Sequence, residues 1–273
     1  MKCTIGLTAA ALLTSVAFPT TAWAATLNGG FEDGFKGWET IGDYRIETSA
    51  FGSGPVEGKA EAFLSTAFQE VVGIDKNFNP IIGGNAVPVT FISGFPSLEE
   101  FLGLSTFLGD NSLDSIATAN PIEGSAIKQT FTAEAGQTFL FSWNFLTNES
   151  VAQAAVDDFT YPDFNDFAFV SIQSDSSNQL FSLADTVSNF INSSTNFSSE
   201  TEFNQFSYTI PTTGTYTVGI GVVDVGEATR ISGLLIDNVE TVPEPSSALV
   251  MLVGGALGTA SIRMRSKKNK EIA

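Results

Sequence analysis

Asp237 sits in an apolar run, Leu235-Ile236-Asp237-Asn238-Val239, and strand alternation places it on one face with Leu235 and Val239. A carboxylate on such a face is prohibitively costly unless it meets a cation, an arginine or a proton. Residues 25–242 hold only two arginines, Arg45 and Arg230. Calcium takes about six to eight oxygens from carboxylates and carbonyls. It suits a region with 28 Asp and Glu against 6 Lys and Arg. The alternative leaves Asp237 in solvent or at a turn. A second acidic group, Asp157, Asp158, Asp163 and Asp166, flanks Tyr161-Pro162 and reads as a solvated loop. Calcium in that loop is the weaker alternative, because the spacing lacks the central Gly and closing Glu of an EF-hand.

Other chemistry is excluded by composition. Residues 25–242 contain no His and no Cys, which removes disulfides, thiol nucleophiles, Ser-His-Asp machinery and the usual zinc ligands. Their net charge of −22 repels nucleic acid and anionic lipid. A glycosidase needs only two carboxyls. Any pair among 28 acids can be nominated for that role and none stands out.

The elements that must position these acids are strands. Phe139, Phe141, Trp143 and Phe145 alternate with Leu140, Ser142, Asn144 and Leu146, a period of two with one aromatic face. Residues 167–172 are apolar at nearly every position, as in a strand covered on both sides. Tyr216, Val218, Ile220 and Val222 share a face of a strand entered through the turn Pro211-Thr212-Thr213-Gly214. Gly219 and Gly221, on its other face, leave room for a close neighbour. Residues 234–239 form a closing strand. One short helix is expected after Pro96, capped by Ser97 with Glu100, with Leu98, Phe101 and Leu102 as its apolar side. Trp38 and Trp143 are expected in the core, which leaves no tryptophan to stack on a sugar. The pattern specifies an all-β fold, a jelly-roll-like β-sandwich over residues 25–241.

The two ends carry signals of another kind. Lys2, an apolar stretch over residues 5–18 and Ala22-Trp23-Ala24 form a signal peptide over residues 1–24, cleaved before Ala25. At the other end Pro243-Glu244-Pro245 precedes 17 uncharged residues, 246–262, and then Arg263, Arg265, Lys267, Lys268 and Lys270. As a helix the uncharged run spans roughly 25 Å, just short of a bilayer's hydrocarbon core. The basic tail, residues 263–273, would stay cytoplasmic. This order over residues 242–273 resembles the PEP-CTERM sorting signal of bacterial exported proteins. The resemblance implies Sec-type export, a transient stay in the inner membrane and processing by an exosortase. A plain C-terminal anchor is the alternative.

A second resemblance rests on Asn28-Gly29-Gly30-Phe31-Glu32 with Gly37-Trp38, and on the closing run around Asp237. Both are similar to the opening and closing strands of galactose-binding-like jelly rolls, which include many carbohydrate-binding modules. The resemblance implies a structural calcium shared by Glu32 and Asp237. Residues 141–149 and 165–172 also resemble a domain recurrent in exported proteins with this C-terminal signal. Three functions stay open. They are a non-catalytic surface or matrix protein with extracellular polysaccharide as its partner, a two-carboxylate glycoside hydrolase, and a protein–protein adhesin assembling through edge strands.

Overall fold

The computed structural model describes residues 28–74, 80–90, 92, 94, 96–104, 112–149, 164–226 and 230–243. The signal peptide with Ala22, Ala24 and Ala25, the acids Asp157, Asp158 and Asp163, and the sorting segment from Glu244 and Pro245 onward lie outside these residues. Two antiparallel sheets face each other, as expected of a β-sandwich. The first runs β1 (Glu39–Ile41), β7 (Pro121–Ala133), β14 (Gly214–Val225), β9 (Phe167–Ser174) and β10 (Ser177–Asp185), with β6 (Val87–Pro88) also beside β7. The second runs β11 (Ile191–Asn192), β12 (Ser199–Glu200), β8 (Thr138–Thr147), β15 (Ser232–Val242), β3 (Glu61–Ser65) and β2 (Asp43–Glu47), with β13 (Asn204–Thr209) also on β8. A separate hairpin joins β4 (Phe68–Ile74) and β5 (Pro80–Asn85).

The main core fills the space between the sheets. Phe139, Phe141, Trp143 and Phe145 of β8 meet Tyr216, Val218, Ile220 and Val222 of β14 there, and Ala168, Val170 and Ile172 of β9 complete the layer. Period-two alternation is therefore what decides which residues fill this space. Trp38 and Trp143 are both buried in it, and Phe31 packs on Trp38 at 5.5 Å between ring centroids.

Both outer faces are covered as well, which the alternation alone does not show. On the first sheet lies α1 (Leu98–Leu102), the one α-helix among the described residues. The Ser97 hydroxyl caps it by accepting the Glu100 N–H at 3.2 Å, and Gly103 ends it in the left-handed conformation. Leu98 and Leu102 join Phe167, Phe169, Val223 and Val225 in a second apolar cluster. The bare faces of Gly219 and Gly221 are where this layer approaches: a Cβ on Gly219 would lie 2.5 Å from Leu102 Cδ2. On the second sheet, Phe51, Phe197 and Phe203 cover Phe63, Leu146 and Leu235.

Gly221 tests this packing. A Cβ there would stand 2.6 Å from both the Phe169 ring and the Ser125 backbone oxygen. Gly221→Ala is expected to destabilise the fold by about 1–3 kcal/mol, as overpacking of a filled site does. Denaturant melts of the two proteins would measure it, and unchanged stability would show that the covering layer is loose.

Candidate functional site

Asp237 leads to an acidic row on the outer face of the second sheet. In the β15–β3 ladder Ile236 pairs with Ala62, so Asp237 and Glu61, one residue further on, stand opposite each other. Glu61 in turn pairs with Glu47 of β2, and Asp237 with Ser142 of β8. Three carboxyls thus lie side by side on neighbouring strands, where like charges oppose pairing. Glu61 and Asp237 are both fully buried. Neither Glu61 carboxyl oxygen has a hydrogen-bond partner. Burial first, then the charges of Asp237 and Glu47, push the Glu61 carboxyl up to about 8. Burial also raises Asp237, against the lowering effect of the backbone N–H groups of Glu57, Asn238 and Val56.

One turn, residues 56–60, closes over this row and is held by both acids that the resemblance singled out. Asp237 Oδ2 accepts the Glu57 N–H at 2.8 Å, and Oδ1 accepts the Asn238 N–H at 2.7 Å. Glu32 Oε1 accepts the N–H groups of Lys59 and Ala60. Gly58 makes this approach possible, because a Cβ there would sit 2.1 Å from Glu32 Oε1, and its φ of 66° suits glycine. The opening segment also docks directly on β15: Val239 donates its N–H to Gly29 O at 3.1 Å. Glu32 and Asp237 are therefore brought to the same turn from the two ends of the domain.

The expected orientation of the closing strand needs correction. Asp237 shares a face with Leu235 but not with Val239. The ladder to β8 slips between Asp237 and Glu240, and Asn238 adopts a φ of 51°. That bulge turns Val239 into the main core, while Leu235 belongs to the outer cluster. Arg45 reaches the edge of this row, and Arg230 is engaged elsewhere. Arg45 pairs with Glu47 and Asp43 and lies 4.0 Å from the Phe63 ring centroid. Arg230 pairs with Glu149 at 3.3 Å.

Asp166 also departs from expectation. It is not part of a solvated loop but is buried at the mouth of β9. Its Oδ1 accepts the Val225 N–H at 3.0 Å, and its Oδ2 accepts the Ser232 hydroxyl at 2.6 Å. The reason is topological: the chain has already turned inward to start the covered strand, and Ser232 opens the facing strand β15. Burial pushes Asp166 up to about 8, opposed by those two hydrogen bonds and reinforced by Glu149 and Glu123. Burial raises Glu123 and Glu99 as well. Among the described residues, no group of three or more Asp, Glu, His or Cys side chains could hold a metal ion. An ion at Asp237 would have to draw on backbone or water oxygens too.

The sequence signal for Glu47 and Glu61 was missing because acids on an outer strand face normally meet water. Only the pairing of β2, β3 and β15, together with the turn that covers them, makes a site of them.

No family model matches the chain, and no curated protein matches it. Among solved structures, TmCBM61 in complex with beta-1,4-galactotriose aligns over 80% of this chain and 96% of its own, at 10% identity and a TM-score of 0.39. A structure of carbohydrate-binding modules from the β-sandwich superfamily aligns over 82% of this chain and 64% of its own, at 11% identity and 0.37. The enzymatically active domain of tailspike protein 4 of bacteriophage CBA120 aligns over 80% of this chain and 21% of its own, at 8% identity and 0.38. Likenesses this distant do not bear on ligand or activity.

The raised carboxyls fix a pH dependence. Each binds its proton more tightly in the folded than in the unfolded chain, so folding takes up protons. The stability they contribute is complete below about pH 4 and is lost as pH rises toward about 8, the value reached by Glu61 and Asp166. In chelator, the melting temperature should fall between pH 4.5 and 8. A loss of only about 2 kcal/mol would lower it by about 4–8 °C in a domain of this size. A melting temperature that rises over that interval would contradict the burial of these groups.

Proposed function

We propose that the chain is an exported, non-catalytic β-sandwich module whose two ends are clamped by a structural calcium ion, with extracellular polysaccharide as its partner. The observation that carries this reading is the fully buried Glu61–Asp237 pair, with the Glu61 carboxylate unpartnered beneath a turn that Glu32 and Asp237 both hold. Two adjacent buried carboxyls need either protons or a cation at neutral pH. The donors at hand are all oxygen, which suits calcium and not a softer metal. Calcium, when bound, supplies positive charge that keeps the carboxylates ionised. Glu32 and Asp237 would hold it with backbone and water oxygens, and both also fix the turn by accepting its N–H groups. Polysaccharide as partner rests on the resemblance of residues 28–32 and 235–239 to carbohydrate-binding modules. Export and release rest on the two terminal signals, read by Sec-type machinery and an exosortase.

The non-catalytic reading is supported by where the perturbed carboxyls lie. Glu61, Asp237, Asp166, Glu99 and Glu123 are all buried among protein atoms. A glycosidase pair must instead face each other across an open groove, roughly 5–9.5 Å apart.

Hydrogen exchange tests the clamp. In the mature protein at pH 7.5, millimolar calcium should slow exchange of the Glu57, Lys59 and Ala60 amides, and Asp237→Asn should remove that effect. Identical exchange with calcium and with chelator would dismiss the ion. The polysaccharide partner is tested separately by affinity electrophoresis through neutral and acidic polysaccharides. Retardation without release of reducing sugar is the expected result, and turnover would restore the hydrolase.

A further inference from the structure

The two flanks of the sandwich differ in how their edge strands are protected. An edge strand leaves backbone N–H and C=O groups unpaired along its outer side, and natural sheets blunt such edges with charge, proline or brevity. On one flank β1 has only three residues, and β2 carries Asp43, Arg45 and Glu47 within five. On the other flank lies β10, nine residues long, which pairs with β9 alone among the described strands. From Ser177 to Ala184 it holds no charge and no proline, and its one irregularity falls late, between Ser182 and Ala184. The facing sheet brings β13 to the same flank, six uncharged residues that pair with β8.

These strands are held in place from within. Between the sheets Phe181 of β10 meets Phe206 at 5.5 Å and Tyr208 at 6.2 Å between ring centroids. Gln179 Nε2 donates to the Tyr208 hydroxyl at 3.3 Å. The free edge of β10 is therefore presented in one conformation, which lowers the entropy lost when another strand joins it.

Charge selects the source of that strand. Residues 25–242 carry a net charge of −22, so a basic partner is drawn to the acidic surfaces and not to this neutral edge. A second copy of the chain, equally acidic, meets least repulsion where both surfaces are uncharged. We propose that β10 pairs antiparallel with β10 of a second copy, across a two-fold axis at Leu180. Asn178 of each copy then stands opposite Ser182 of the other, and Gln179 opposite Phe181, all within the regular part of the strand. The same patch is used on both copies, so the contact closes on itself and stops at a dimer. This surface is separate from the turn at Asp237, and the pairing does not depend on calcium or on polysaccharide.

Sedimentation equilibrium of the mature protein should show a monomer–dimer equilibrium that shifts toward dimer as added salt screens the acidic bodies. Asn178 and Ser182 are exposed, so substitution at either leaves the core intact. Asn178→Lys combined with Ser182→Lys sets like charges opposite each other and should abolish the dimer. Asn178→Lys combined with Ser182→Glu sets opposite charges there and should retain it. A wild type that stays monomeric at every concentration and salt level, or two double variants that behave alike, overturns the proposal. So does a wild-type monomer whose retardation by polysaccharide is lost in the first double variant, because this edge would then serve the glycan.

Discussion

Two carboxyls cannot both stay ionised side by side inside a protein without something positive or acidic between them. Glu61 and Asp237 are placed in that position by strand register alone, and much of the second sheet follows from it. The turn over residues 56–60 is held by Asp237 and by Glu32, which accept its N–H groups. The opening segment needs the turn, because Glu32 is tied to it and Gly29 rests on Val239. The bulge at Asn238 makes both possible. It lets one strand offer a carboxylate to the outer face and, two residues later, an apolar side chain to the core.

Covered outer faces set the character of this sandwich. An antiparallel sheet commonly keeps one face in water, so polar residues there are cheap. Here α1 lies on one sheet, and the segments carrying Phe51, Phe197 and Phe203 lie on the other. Polar groups under those layers must find partners within the protein. Most do: Glu200 accepts from Asn144 at 2.9 Å and from the Ser194 N–H at 3.1 Å, tying its loop to β8. The exceptions are both Glu61 oxygens and Glu99 Oε2, which have none.

The core strands were legible in the sequence because burial imposes period two. The alternation of Phe139, Phe141, Trp143 and Phe145 could hardly serve anything but an inter-sheet face. The helix after Pro96 was legible from its cap, and the bare faces of Gly219 and Gly221 from their position opposite a core row. The meeting of Glu32 with Asp237 came from likeness to known opening and closing strands, not from spacing. Glu47 and Glu61 could not be foreseen, since cross-strand pairing over 176 residues of separation, as between Glu61 and Asp237, leaves no local pattern. Asp166 misled for the opposite reason. Its neighbours in sequence, Asp157, Asp158 and Asp163, suggest a solvated loop, but one residue at the start of a covered strand is enough to enter the interior.

Raised carboxyl pKa values usually draw attention as marks of catalysis, because burial beside like charge is how enzymes prepare a general acid. In this sandwich the same physics argues otherwise. What raises Glu61 and Asp166 is burial first and neighbouring carboxylates second, and a sugar cannot reach a carboxyl that solvent does not reach. A catalytic acid must be desolvated by a cleft that the substrate then fills. Enclosed acids can act only on something small enough to be built in during folding, a proton or a cation. Their effect is therefore on the stability of the fold, and through it on which surroundings the folded module tolerates.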